Sequence, residues 1–176
     1  RPAKSVHFQL KVPTDPLFGS GRFREAAPAA RRLGRRALVV TTKSALETRG
    51  TARSLIDSLE THGVHAAVFT DFQPGPTTDD VDRGAESART FRADMVLALG
   101  GGSAIDCAKA VAAVAAEACP AAHYLHQKSQ PGRHTLPIIA IPTTAGTGSE
   151  LNRSCIITDP ARRFKGGIRS DLLFPK

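Results

Sequence analysis

Short apolar runs alternate with stretches of helical spacing along this 176-residue chain. Residues 5–12, SVHFQLKV, alternate apolar and polar as a half-exposed strand does. Gly19-Ser20-Gly21 opens a segment that predicts a helix over 22–33, closed by Gly34. A buried strand is expected over 35–42, then a loop and a helix over 52–62 with Gly63 as its stop. The rhythm repeats: strand 64–70, turn 72–77, helix 78–91, strand 93–99, helix 103–118. A polar loop over 120–135 leads to a strand over 136–141, and strands over 154–158 and 164–170 flank a turn at Asp159-Pro160.

Strands alternating with helices predict an α/β fold, a mostly parallel sheet covered on both faces, with residues 1–176 as one domain. Ligands of such sheets sit outside the carboxyl ends of the strands. That rule gathers 41–44, 73–77, the glycines after 99 and the loop 143–150 on one rim.

Composition narrows the class without naming an activity. The chain is 41% hydrophobic and 23% charged, as a soluble globular protein is, and no apolar run approaches the ~20 residues of a membrane helix. The first residues, RPAKSVHFQLKVP, hold no long apolar core of the secretory kind. Cys107, Cys119 and Cys155 have no metal-like spacing, and reduced thiols in the cytoplasm are expected. A net charge of +8 raises the question of nucleic acid, but one Tyr and no Trp supply few stacking platforms. The densest basic cluster, Arg31, Arg32, Arg35 and Arg36, follows a predicted helix end, where cations complement the dipole. Neither nucleic acid nor membrane is expected as a partner.

Candidate chemistry concentrates in two loops. The strand MVLAL runs straight into Gly100-Gly101-Gly102, and Ser103-Ala104-Ile105-Asp106 fits a capping box with Asp106 in place of the usual Glu. Such a turn exposes backbone N–H groups at a positive helix end and suits a phosphate. It is neither a P-loop nor the G-x-G-x-x-G fingerprint, because Ile105 stands at the third glycine. A turn that merely packs a helix onto the sheet explains the glycines equally well by themselves. The second loop, PTTAGTGSE, offers the hydroxyls of Thr143, Thr144 and Thr147, and Thr147-Gly148-Ser149-Glu150 reads as a second capping box opening a second helix. Two such entrances suggest a dinucleotide site. The helix between them is apolar on nearly every face, which marks it as buried. The six histidines show no metal-site pairing, and His123, His126 and His134 read as solvated loop residues.

GGGSAIDCAK (100–109) and AIPTTAGTGSE (140–150) together resemble the two signature loops of the iron-containing alcohol dehydrogenase family. Phe18-Gly19-Ser20-Gly21, the strand ALVVTTK and Ile156-Ile157-Thr158-Asp159 with Lys165 and Ser170 extend the likeness over nearly the whole chain. The resemblance implies a Rossmann-like, nicotinamide-binding domain related to those of glycerol dehydrogenase and dehydroquinate synthase. It implies that Gly101, Gly102 and Ser103 bind pyrophosphate. It also places Thr143, Thr144 and Thr147 on the adenosine and phosphate side, Ile156 and Lys165 at the cofactor, and Gly75 near ribose or adenine. Asp106 belongs to the first signature and is carried over with them.

The chain departs from the family in two places. Where NAD-preferring members often carry Asp for the 2′-hydroxyl, this chain has Thr42, followed by Lys43 and Ser44, so NADP stands beside a slightly favoured NAD. The family's divalent metal, iron or sometimes zinc, is held by one Asp and three His of a helical domain that residues 1–176 do not match. No catalytic or metal-ligating residue is therefore assigned, and the metal is expected only in an intact protein. The implied activity is hydride transfer between NAD(P)H and a small alcohol or aldehyde. A non-catalytic nucleotide-binding module, a polyol dehydrogenase and a maleylacetate reductase are the alternatives, and a homodimer or larger assembly is expected.

Overall fold

The computed structural model describes residues 12–117, 119–126, 132 and 134–176, so the strand expected over 5–12 lies outside the described residues but for Val12. A 3-10 turn at Arg22–Glu25 leads into α1 (Ala26–Leu33), and the N–H of Gly34 closes it on Ala30. β1 (Arg36–Thr41), α2 (Lys43–Glu47), α3 (Thr51–Thr61), β2 (His65–Phe69), α4 (Thr78–Phe91), β3 (Met95–Gly100) and α5 (Gly102–Glu117) follow. Next come α6 (Ala121–His126), β4 (Ile138–Pro142), a 3-10 turn at Ser149–Leu151, and the hairpin β5 (Ser154–Asp159) and β6 (Phe164–Arg169).

β1 to β4 form one parallel sheet in the order β2-β1-β3-β4, and β5 and β6 pair antiparallel beside it. The central strands are apolar on both faces because both faces are covered. Leu38 and Val40 of β1 and Val96 and Ala98 of β3 join the core under α4, α5, α6 and the hairpin. Val39, Leu97 and Leu99 join the opposite core under α1 and α3. At the foot of the sheet the Asp94 carboxylate accepts from the N–H groups of Arg35 and Arg36 at 2.8 and 2.9 Å. That tie fixes where α1 hands over to β1. No helix among the described residues is long and apolar enough to cross a membrane.

The structure corrects the expected polar loop over 120–135 in its first part, which folds as α6. Asp82 of α4 accepts from the N–H of Ala121 at 2.9 Å, and Tyr124 and Leu125 are buried. A tertiary cap and two apolar anchors thus order a short segment whose neighbours are polar. His126 is not solvated either: its Nε2 lies 2.6 Å from the Asp159 carboxylate at the end of β5. The hydrogen bond to His126 is the main influence holding the Asp159 carboxyl below its ordinary range. The short helix α2 was also not anticipated; Thr42 starts it, accepting from the N–H of Ala45.

Gly84 lets α4 approach α5. A Cβ there would lie 2.6 Å from Val111 Cγ2 and 3.0 Å from Phe69 Cε1, both side chains locked in the core. Gly84→Ala gains helix propensity of about 1 kcal/mol, but overpacking opposes it by about 1–3 kcal/mol. Urea unfolding is expected to show a net loss of stability; a gain would contradict this close approach.

Candidate functional site

The carboxyl ends of β1, β2, β3 and β4 bring the four predicted loops to one rim, and hydrogen bonds join them. Ser103 Oγ accepts from the N–H of Gly75 at 3.2 Å, tying the loop after β2 to the start of α5. The N–H of Thr143 donates to Gly100 O at 3.0 Å, tying the loop after β4 to the end of β3. Thr41 Oγ1 donates to Leu99 O at 2.9 Å, between the tops of β1 and β3. The hairpin joins the same rim: the N–H of Thr158 donates to Pro76 O at 2.9 Å, and Thr77 and Thr158 form an isolated parallel bridge.

The glycine turn answers to close packing on three sides. A Cβ at Gly100 would sit 2.7 Å from the Ala104 Cβ, and one at Gly101 would sit 3.1 Å from Thr144 Oγ1. At Gly102 it would meet Thr147 Cγ2 at 2.5 Å. The two signature loops therefore lie directly against each other, with no room for side chains between. Gly101 O accepts from the N–H groups of Ala104 and Ile105, so the first turn of α5 closes on the glycines. The N–H groups of Gly101, Gly102 and Ser103 meet no acceptor among the described residues. These are the free donors of a helix start, at its positive end.

Both expected capping boxes are corrected. α5 begins at Gly102, and the Asp106 carboxylate turns away from the helix end to the other loop. It accepts from Ser149 Oγ and, at 3.2 Å, from the N–H of Ile156. Burial is the largest influence on the Asp106 carboxyl and raises it, while Ser149, Ile156, Lys109 and Lys165 favour its charge. Thr147-Gly148-Ser149-Glu150 opens only the three-residue 3-10 turn, with Thr147 Oγ1 accepting from the N–H of Ser149 at 3.2 Å. In the first loop, tertiary donors outcompete the local N–H for the Asp106 carboxylate.

Each carried-over residue has a definite place. Thr143, Thr144 and Thr147 are exposed along the loop over the glycine turn, and Ile156 and Lys165 are exposed on the hairpin. Gly75 has a φ of 73°, in the left-handed region, and open space where a Cβ would stand. Thr42 is exposed at the top of β1, one loop away from Gly75. Ser103 is half-buried.

Lys109 was quoted in the first signature but given no role, and the structure makes it central. Its side chain is fully buried, and Nζ donates to Ser149 O and Asn152 O at 2.6 Å, with Ser154 O at 3.1 Å and Asn152 Oδ1 at 3.3 Å. The signal available in the sequence was a lone lysine inside a run of Ala, Val and Ile. Among the described residues no group of three or more His, Cys, Asp or Glu gathers to hold a metal.

A family model described as iron-containing alcohol dehydrogenase matches residues 13–176. Alcohol dehydrogenase 4 of Schizosaccharomyces pombe is 35% identical over 159 residues, which are 89% of this chain and 37% of that protein. The solved structure of a sulfoacetaldehyde reductase from Bifidobacterium kashiwanohense, in complex with NAD+, is 37% identical with a TM-score of 0.88; the match covers 98% of this chain and 45% of that one. An NADH-dependent butanol dehydrogenase A from Thermotoga maritima is 30% identical with a TM-score of 0.90, over 97% and 43% of the two chains. The chain thus spans less than half the length of the relatives it matches.

The Gly102–Thr147 contact is open to a direct test. Gly102→Ala is expected to destabilise the chain by about 1–3 kcal/mol through overpacking. Adding Thr147→Gly should return much of that loss, a coupling that a double-mutant cycle in urea measures. Additive effects would mean that the two loops do not touch as described.

Proposed function

The chain belongs to the iron-containing alcohol dehydrogenase family, and on that footing we propose that its rim binds a nicotinamide dinucleotide for hydride transfer to or from a small alcohol or aldehyde. The observation that carries this reading is the row of unpaired N–H groups at Gly101, Gly102 and Ser103, at the positive end of a sixteen-residue helix. Glycine there keeps side chains away, so a pyrophosphate can approach the backbone and take those donors.

The remaining residues fit the rest of such a ligand. Thr143 and Thr144 offer exposed hydroxyls beside the glycine turn, and Thr147 keeps a proton to donate while its oxygen serves Ser149. Gly75 supplies bare backbone beside Ser103, and Lys165 adds a positive charge on the hairpin. Asp106 contributes by holding Ile156 and Ser149 rather than by capping. When bound, the nicotinamide supplies or accepts the hydride. Among the described residues no cluster of His, Cys, Asp or Glu fits a metal.

Thr42, Lys43 and Ser44 stand where a 2′-hydroxyl or 2′-phosphate would lie, and none of the three is a carboxylate that would repel the phosphate. NAD is favoured, as the sulfoacetaldehyde reductase structure holds NAD+ and the butanol dehydrogenase is NADH-dependent, and NADP is compatible with these three residues. Cytoplasmic residence with reduced cysteines and self-association into a homodimer or larger assembly complete the reading. The three free cysteines and the exposed Leu17 and Phe18 support it.

Fluorescence titration with NADH and NADPH tests the assignment. Gly101→Val should abolish saturable binding of both while the far-ultraviolet spectrum is kept. Thr42→Asp retains an N-cap-competent side chain, so it changes charge without removing the cap. It should raise the preference for NADH over NADPH about tenfold or more by like-charge repulsion. Wild-type chain that binds neither nucleotide would overturn the proposal.

A further inference from the structure

The buried positions of α5 are all apolar except for one lysine, at a position where Met would fill the same volume without charge. A charge removed from water needs partners of good geometry or it is strongly unfavourable. Lys109 has them: four oxygens within 3.3 Å, three of them main-chain carbonyls of Ser149, Asn152 and Ser154. Asp106, one turn earlier on the same helix face, holds Ser149 Oγ and the N–H of Ile156. The segment from 149 to 156 is therefore suspended from two side chains of α5, the helix whose first N–H groups line the glycine turn.

We infer that Lys109 is a positioning residue whose side chain sets the gap between the glycine turn and the loop and hairpin facing it. For nucleotide affinity the inference rests on the function proposed above; for loop geometry it does not. Lys109 touches no rim surface itself and acts through Ser149, Asn152 and Ser154. Loss of its proton would leave two donors and a lone pair among four oxygens.

Burial pulls the Lys109 ammonium down to about 8. The groups that face it are Asp106 of its own helix, Glu150 of the 3-10 turn and Cys155 of β5. Cys155 is pushed up to about 12 by burial and stays neutral through this window. A lysine titrating lower in the fold than its ordinary ~10.4 leaves the unfolded chain holding more protons between about 8 and 10.4, so its contribution to stability rises with pH there. The same sign holds for local opening, because a segment that opens returns Lys109 to water and to its ordinary proton affinity.

Hydrogen exchange of the wild-type chain from about pH 6.5 to about 9.5, corrected for intrinsic base catalysis, tests this. Protection of 147–156 should rise about tenfold between pH 7 and 9. Lys109→Met should show a loosened segment at pH 7, with no pH response. In parallel, the Kd for NADH at pH 7 should be about fivefold or more higher in Lys109→Met than in wild type. Protection of 147–156 that is flat with pH in wild type, or equal in wild type and Lys109→Met at pH 7, overturns the inference. Should Lys109→Met not fold, the wild-type pH profile decides alone. NADH that binds no variant overturns the nucleotide reading, and the exchange profile still decides the role of Lys109.

Discussion

A buried ammonium with four oxygen partners is the constraint on which the rest of this rim depends. Lys109 sits at the start of the third turn of α5, and its acceptors lie 40, 43 and 45 residues further along the chain. Removing one partner from a buried charged network costs about 3–5 kcal/mol, because the others are left unsatisfied. The segment after the second signature therefore has no comparably stable place other than against α5. Asp106 supplies the matching acceptor for Ser149 and Ile156, so donors and acceptors of the same segment are both engaged.

With that segment fixed, the glycine turn becomes intelligible. A Cβ at Gly100 or Gly102 would collide with Ala104 or Thr147, and one at Gly101 would crowd Thr144. Packing thus requires the glycines before any ligand is considered, and the functional consequence follows from it. Backbone brought this close to a second loop leaves three N–H groups at a helix start with no acceptor among the described residues. A packing reading and a ligand reading of the same three residues are two ends of one argument.

The strands and main helices were legible because their signal is local. The helix expected over 78–91 is found as Thr78–Phe91, where Val81, Ala85 and Ala88 recur at helical spacing and are all buried. The rim was legible for a topological reason, since parallel strands deliver their loops to one end. What stayed hidden was decided by distant partners. Asp106 reads locally as a cap, yet its oxygens go to Ser149 and Ile156. Thr147 and Glu150 suggest a helix that shrinks to one 3-10 turn once Lys109 holds its carbonyls. Lys109 carried no readable role because main-chain carbonyls have no sequence signature. α6 and the His126–Asp159 pair depend likewise on Asp82 and on a hairpin turn far along the chain.

The most direct test of the account follows the backbone amides of the glycine turn by heteronuclear NMR as NADH is added to the 176-residue chain. The account predicts that Gly101, Gly102 and Ser103 shift together, saturate with one dissociation constant, and shift less when the added compound is nicotinamide riboside, which lacks the pyrophosphate. Saturable NADH binding that leaves those three amides unmoved would contradict it.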